Sequence, residues 1–312
     1  MKLRSKSIHI VYHIFSLIFI CCFIISGLAL TTSAATKLNI NLSNNQTFFI
    51  LPGTDSTTYD VAITSGGELG NVTCSSSNLE VATIDDMGKM ILKDAGSTKI
   101  KVTSGNKSVT RTINVLVRSD WSKVVSVKNA SKLTVKDHVL TVSLKNHMDF
   151  PIRMIYSYNT YTDAGSLIQS NASSSPIYLA ANASFTYKVM MPEDVSYVSV
   201  NSATFEYNQF GCKKIDTKKV TVKESTDTDR DNKYVKYKVA TLKNSNKNQV
   251  ILPYYMYLYD QNGKLISVEY KTIPLAGKQK TVLREVYQTK DPHAERYTAK
   301  VVYKFSKPIP YF

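Results

Sequence analysis

The sequence predicts an all-β protein, a tandem array of three β-sandwich modules behind an N-terminal signal peptide. Helical periodicity is nearly absent, and short runs with period-two alternation, rich in Thr, Val, Ile and Tyr, recur along the chain. Clusters of Gly, Asn, Asp and Ser separate those runs, the signature of a sandwich or barrel. The 312 residues are 43% apolar and 20% charged, enough for packed cores and too apolar for a disordered chain. Two or three domains fit this length. Tyr59–Ile63, Lys99–Thr103 and Val139–Leu144 are read as strands, each with one set of side chains inward and the other outward.

Residues 1–35 read as a targeting segment. Lys2, Arg4 and Lys6 form a positive region, Ile14 to Leu30 an uncharged apolar run, and Ser33-Ala34-Ala35 a small-residue cleavage site. Cleavage is expected after Ala35, and the expected location is extracellular, secreted or cell-surface associated. A membrane role arises only if the segment stays uncleaved as an anchor. The bulky Ile20 before Cys21 and Cys22 argues against a lipoprotein, and no second hydrophobic span or wall-sorting motif is read. The mature chain keeps Cys74 and Cys212, 138 positions apart, which are read as unpaired, small and buried.

Residues 36–117 form the first module. The stretch from Cys74 to Val102 contains Ser-Ser-Asn78, Val81-Ala82-Thr-Ile84-Asp85, a Gly88 hairpin, and Gly96 followed by Thr-Lys-Ile100-Lys-Val102. This pattern resembles the bacterial immunoglobulin-like domain of group two, found in invasin- and intimin-type adhesins and in many Gram-positive surface proteins. The resemblance implies an immunoglobulin-like sandwich, with Cys74 where the family often carries Trp. Independently, Asp86-Met87-Gly88 lies between the apolar runs Val81–Ile84 and Met90–Leu92, which makes it a short hairpin needing a positive φ.

Residues 118–211 and 212–312 are read as two copies of one further sandwich module. Leu144-Lys145-Asn146 matches Leu242-Lys243-Asn244 at an offset of 98, which also aligns Tyr161 with Tyr259, Gly165 with Gly263 and Leu167-Ile168 with Leu265-Ile266. Later an offset of 96 pairs Ile177, Leu179 and Tyr207 with Ile273, Leu275 and Tyr303. The segment Met256-Tyr257-Leu258-Tyr259-Asp260-Gln261-Asn262-Gly263 resembles a bacterial domain named for its FxLYD signature, with Met in the Phe position. Asn262-Gly263 between alternating runs is a strong hairpin signal. The middle module reads Tyr158-Asn159-Thr160-Tyr161-Thr162 there, so its link to that family runs through the repeat.

No catalytic constellation can be assembled. The mature chain has only His138, His147 and His293, none beside a nucleophile elbow, an HExxH pair or a phosphate-cradling loop. Asp227, Asp229 and Asp231 alternate as in a calcium loop, but Asn232 replaces the sixth-position glycine and Lys238 the twelfth-position glutamate. The chain is therefore expected to be non-enzymatic, with no cofactor and no metal.

Charge is the more informative feature. The +15 total divides into +3 on the leader, 0 and +1 on the next two modules, and +11 on residues 212–312, which also hold eleven of the twenty tyrosines. Lys213, Lys214, Lys218, Lys219 and Lys223 cluster before the acidic loop, and Lys233, Lys236 and Lys238 follow it. Lys236 and Lys238 share one strand face, with Tyr237 on the other. Tyr255, Tyr257 and Tyr259 alternate along a strand whose Met256 and Leu258 face the core. The candidate ligand-binding residues are Lys213, Lys214, Lys218, Lys219, Lys236 and Lys238 with an exposed row of Tyr255, Tyr257 and Tyr259, fit to stack sugars and hold polyanions.

The expected partner is an anionic cell-wall polymer or an acidic glycan outside the cell, in the role of an adhesion or binding protein. Nucleic acid is excluded by export and by the absence of a recognition helix or aromatic RNA-binding signature. The competing expectation is an accessory structural protein that pairs with another exported protein through sheet edges.

Overall fold

The computed structural model describes residues 37–53, 57–209, 211–288 and 297–312. The leader and His293 lie outside the described residues. Among the described residues, twenty-four strands and two one-turn 3-10 helices make up the regular structure, so the chain is all-β and its strands form successive sandwiches. Among the described residues no helix is long and apolar enough to cross a membrane.

The first module contains β1 (Leu38–Ile40), β2 (Gln46–Ile50), β3 (Thr58–Asp60), β4 (Ile63–Ser65), β5 (Val72–Ser76), β6 (Ala82–Ile84), β7 (Lys89–Leu92), β8 (Gly96–Ser104) and β9 (Lys107–Val117). One sheet runs β2-β9-β8-β5, with β2 parallel to β9; a second runs β3-β7-β6, and β1 pairs with β4. Phe48, Met90, Ile100, Ile113 and Val115 fill the space between the sheets. The run expected as one strand at Tyr59–Ile63 is split, because β3 joins β7 whereas β4 joins β1. Between them Val61 is buried, and the Ala62 amide donates to Asn41 Oδ1 at 2.8 Å, so the chain changes sheets there. The Gly88 hairpin forms as expected, with φ +86, and a Cβ would stand 2.4 Å from the Val61 carbonyl oxygen. Ser-Ser-Asn78 acquires a physical role, since Ser76 and Ser77 hydroxyls and the Asn78 amide all meet the buried Thr98 hydroxyl.

The second module contains β10 (Val125–Val127), β11 (Leu133–Lys136), β12 (Val139–Asn146), β13 (Ile152–Tyr161), β14 (Leu167–Ser173), β15 (Ile177–Leu179), β16 (Ser184–Met190) and β17 (Tyr197–Tyr207). Strand β12 carries β10 and β16, and β13 carries β17, β14 and β15. β11 joins the two layers, with Leu133 and Thr134 on β17 and Val135 and Lys136 on β12.

The third contains β18 (Val220–Thr228), β19 (Val235–Asn244), β20 (Val250–Tyr259), β21 (Leu265–Leu275), β22 (Lys280–Gln288), β23 (Lys300–Phe305) and β24 (Ile309–Pro310). Its layers are β18-β19-β22 and β21-β20-β23, with β24 also on β20.

Strand registers carry the same pairing twice. Ile152 opposes Leu179 as Val250 opposes Leu275, and Leu144 opposes Phe185 as Leu242 opposes Thr281. The offsets of 98 and 96 hold to this point. They fail at the last strand, because Tyr156 opposes Ala203 whereas Tyr254 opposes Phe305, an offset of 102. Tyr207 opposes Ile152 and Tyr303 opposes Met256, so the expected equivalence of Tyr207 and Tyr303 is wrong. The connection between β22 and β23 is longer than that between β16 and β17 and resets the register.

Asn146 and Asn244, the ends of the Leu-Lys-Asn repeats, are fully buried. Asn146 Nδ2 donates to Phe150 O and Ala180 O at 3.0 Å, and its Oδ1 accepts the Met148 amide at 2.9 Å. Asn244 makes the equivalent bonds to Asn248 O and Ala276 O at 2.9 and 3.1 Å, and accepts the Asn246 amide at 3.0 Å. Each amide closes a turn between strands and pairs backbone groups that would otherwise be buried alone.

The first two modules are locked together. Leu51 enters the core of the second module, and the Phe49 ring packs on Phe150 with centroids 5.7 Å apart. The Phe49 amide donates to Gln209 Oε1 at 3.1 Å, and the Phe49 carbonyl accepts Gln209 Nε2 at 3.2 Å and the Tyr207 hydroxyl at 2.5 Å. Cys74 and Cys212 are free and half-buried, less covered than the sequence suggested. Cys74 lies on the edge strand β5, and Cys212 in the connection between modules, where burial pushes its thiol up to about 11.

Substituting Asn146→Ala should lower stability by about 3 kcal/mol, because the lost bonds strand buried carbonyls, read as a reduced urea midpoint. Alkaline pH gives a second prediction. Burial pushes the Tyr207 phenol up to about 12, against about 10 in the unfolded chain. The folded state therefore holds its proton longer, and this stabilisation is complete below pH ~10 and lost as pH rises towards 12. The urea midpoint should fall across that window, and less steeply in Tyr207→Phe.

Candidate functional site

Alternation along β20 divides its aromatic residues. Tyr254, Met256 and Leu258 face the third module's own core, as expected for Met256 and Leu258, while Tyr255, Tyr257 and Tyr259 face outward. They are not a free row. Tyr255 and Tyr257 are only 6% and 8% exposed, packed with Val268 against Val139, Phe185 and Met190 of the second module. The cause is the edge strand β16, which pairs with β12 on one side only. The Tyr255 hydroxyl donates to Thr186 O at 2.9 Å and accepts from the Lys188 amide at 3.0 Å. Tyr270 accepts the Tyr178 amide of β15 at 3.2 Å. Buried backbone groups need partners, and a tyrosine hydroxyl serves as donor and acceptor at once. Burial pushes both phenols well above their usual range. Tyr259 is half-buried at the rim, with Lys300 Nζ 6.0 Å from its ring centroid.

The sequence-predicted lysines do not join the tyrosines. Lys213 and Lys214 are exposed in the connection before β18, and Lys218 and Lys219 in the one-turn helix Thr217–Lys219, at the Asn244 end of the sandwich. Lys236 lies near the opposite end of β19, eight residues from Asn244 or about 27 Å along the strand. Lys236 and Lys238 share the side of β19 that carries Ala240 and Leu242 into the core, so they point between the layers rather than away from them. Lys238 Nζ pairs with Glu224 at 2.6 Å. The layer β21-β20-β23 stands between Lys238 and the outward tyrosines.

What converges instead is a cleft of about 580 Å³ between the second and third modules. Tyr257, Leu265, Val268 and Val139 form its apolar part, and Lys136, Lys188 and Lys264 bring three cations from two modules. Asp137 is the acidic residue of the lining, and His138 also lines it. Lys304 Nζ stands 5.1 Å from the Tyr257 ring centroid. None of Lys136, Lys188, Lys264 and Lys304 forms an ion pair among the described residues. A site of this kind holds an anion by charge and presents aromatic and aliphatic surface to the rest of the ligand.

Local structure fixes the cations. Lys136 opposes Val139 across a two-residue turn in which Asp137 and His138 both have positive φ, +51 and +62. That conformation suits a tight hairpin and is unfavourable for side chains other than Gly, Asn and Asp. The His138 carbonyl accepts the Met191 amide at 2.8 Å, which holds the turn. At the other wall the buried Asp260 carboxylate accepts the Asn262 and Lys264 amides at 2.9 and 2.8 Å, and Gly263 takes φ +77. The Asn262-Gly263 signal thus marks the turn that places Lys264.

The acidic loop after β18 is self-contained. Asp229 Oδ1 accepts the Asp231 and Asn232 amides at 3.0 and 3.1 Å, and Oδ2 accepts the Tyr237 hydroxyl at 2.8 Å. The Tyr237 bond, then those amides, hold the Asp229 carboxyl below its usual range. Among the described residues no group of three or more His, Cys, Asp and Glu is placed to hold a metal.

Residues 60–106 match the family model described as the immunoglobulin-like domain of intimin. A bacterial immunoglobulin-like domain therefore lies in the first module. No curated protein matches the chain. Among solved structures, a protein of unknown function from Bacteroides ovatus is 9% identical at TM-score 0.20, covering 83% of this chain and 98% of its own. Domains 5–6 of the S-layer protein SbsC are 12% identical at TM-score 0.21, covering 78% and 100%. The secreted serine protease VesC from Vibrio cholerae is 10% identical at TM-score 0.19, covering 55% and 46%. Likeness at this level carries no statement about what this chain does.

Tyr255→Phe should speed hydrogen exchange at the Lys188 amide and lower stability by about 1 kcal/mol, since two backbone groups lose their shared hydroxyl. Unchanged exchange at Lys188 would show that the hydroxyl does not hold the junction.

Proposed function

We propose that the chain is an exported, non-enzymatic binding protein of a bacterial cell surface, which holds an anionic polymer in the cleft between its second and third modules. The observation that carries this reading is the meeting of Lys136, Lys188 and Lys264 around Tyr257, without ion-paired acidic partners among the described residues. Phosphate- or carboxylate-bearing wall polymers and acidic glycans have the matching chemistry. The leader-like residues 1–35 support export, and the first module, read as a group-two domain, serves as spacer or adhesive display. The third module, read as FxLYD-like, brings most of the net charge, and Lys213, Lys214, Lys218 and Lys219 add longer-range attraction. The contact therefore belongs to two modules and not to residues 212–312 alone.

The second reading, pairing through sheet edges, retains β14. That edge strand pairs only with β13, and its Leu167 and Ile168 are exposed. Salt separates the two readings, because screening weakens charge contacts over about 10 Å at 0.1 M and leaves strand pairing nearly unchanged.

Purified residues 36–312 should sediment with isolated Gram-positive cell walls at low salt. The K136A/K188A/K264A variant should need roughly tenfold more wall for equal retention, and added salt should release the parent chain. Equal retention of variant and parent would overturn the assignment of the cleft.

A further inference from the structure

We propose that the outer face of β19 and β22 is a docking surface for a tyrosine-lined sheet face of a partner chain. The argument rests on the internal duplication and is independent of the polymer reading. In register, Val139 opposite Met190 corresponds to Tyr237 opposite Val286, and Thr141 opposite Lys188 corresponds to Val239 opposite Arg284. On the second module's version of this face the Val139–Met190 end packs with the third module's Tyr255 and Tyr257, while Thr141, Ser143 and Thr186 stay exposed. The third module's version is bare, and Val282 and Val286 are 55% and 56% exposed on an edge strand.

The backbone repeats the same provision. Tyr255 binds Thr186 O and the Lys188 amide, the groups that β16 turns away from β12. By the alternation of antiparallel pairing, β22 turns the corresponding Val282 carbonyl and Arg284 amide away from β19. An uncovered apolar edge strand with unpaired groups is a liability that proteins ordinarily mask. Here the chain itself shows what masks it, a pair of outward tyrosines whose rings pack on the apolar side chains at one end, with the Tyr255 hydroxyl capping the edge.

Charge refines the partner. Arg284 lies over the Tyr237 ring at 3.7 Å and pairs with Asp227 at 3.6 Å, and Lys243 opposes Lys280 across the same face, so the face stays net positive and acidic residues around the partner's tyrosines would complement it. A second copy of this chain is the poorer occupant. Its Tyr255, Tyr257 and Tyr270 already cover its own β16, and its second module carries Ser157 and Asn159 where the third carries Tyr255 and Tyr257. The occupant is therefore a β-sandwich module of another chain.

A chain in which a second copy of residues 208–312 follows Pro310 supplies a defined probe. Pro310 opposes Val250 as Tyr207 opposes Ile152, so the added module continues the array in register. Exchange at the Arg284 amide should slow about tenfold or more relative to the parent chain. V282D/V286D, or Y255F in the added copy, should restore the parent rate. Equal rates in extended and parent chains would overturn the proposal. If the extended chain does not fold, the parent is mixed with the full-length variant F185S/M190D, which frees its own tyrosine face. A complex that V282D/V286D in the parent abolishes is expected, and no complex by sedimentation, or parent-only dimers of equal strength, overturns it.

Discussion

The structure depends on how edge strands of one module are finished by side chains of the next. A sandwich strand with a neighbour on one side only leaves N–H and C=O groups unpaired, and covering it with another module removes the water that would satisfy them. Each junction answers with polar side chains that donate and accept. Gln209 and Tyr207 meet the amide and carbonyl of Phe49 on β2, Tyr255 meets Thr186 and Lys188 on β16, and Tyr270 meets Tyr178 on β15. Tyrosine suits this position because its ring contributes apolar burial while its hydroxyl terminates the strand. The face of β20 that carries Tyr255 and Tyr257 is thus largely committed to holding the modules together, with Tyr257 also lining the cleft.

The second and third modules share strand pairings, and their interiors differ. Leu140 and Val189, opposed within the second core, correspond to Lys238 and Glu285 in the third. Lys238 pairs with Glu224, and Lys271 with Glu269 at 2.8 Å, on faces directed between the layers. The third module's apolar core is concentrated towards the Asn244 end, around Leu242, Val250, Leu252 and Leu275. Burial, reinforced by Glu285 and other nearby charges, pushes the Tyr303 phenol above its usual range at the polar end. Part of the module's positive charge is accordingly neutralised inside the sandwich.

Local patterns were readable from sequence, and long-range coverage was not. Alternation located β8, β12 and β20, the turn glycines Gly88 and Gly263 marked hairpins, and Leu-Lys-Asn marked the duplicated buried amide. Alternation also placed Tyr255, Tyr257 and Tyr259 on one face, but tyrosine is equally at home on an exposed strand and under a neighbouring module. The pairing of Tyr207 with Tyr303 failed because a longer connection between β22 and β23 shifts the last strand without altering the residues on either side. The cleft was beyond local reading for a similar reason. Lys136, Lys188 and Lys264 are brought together by the docking of two modules, and nothing near any of them in sequence announces the others.

The character of the junction bears on how such a cleft would work. Every ion pair among the described residues lies within a module, Arg153 with Glu206, Lys238 with Glu224, Lys271 with Glu269, and Arg284 with Asp227. The interface between the second and third modules is made of aromatic packing, Phe185 on Tyr255 and Tyr187 on Tyr270, and of hydroxyl to backbone bonds. Salt screens separated surface charges and leaves contacts of this kind almost untouched. The spacing of the cleft lysines is therefore set by forces that do not weaken as ionic strength rises, while their attraction for a polyanion does. A preorganised array of cations on a salt-insensitive frame loses little freedom on binding and releases its ligand when counterions compete, without the modules having to separate.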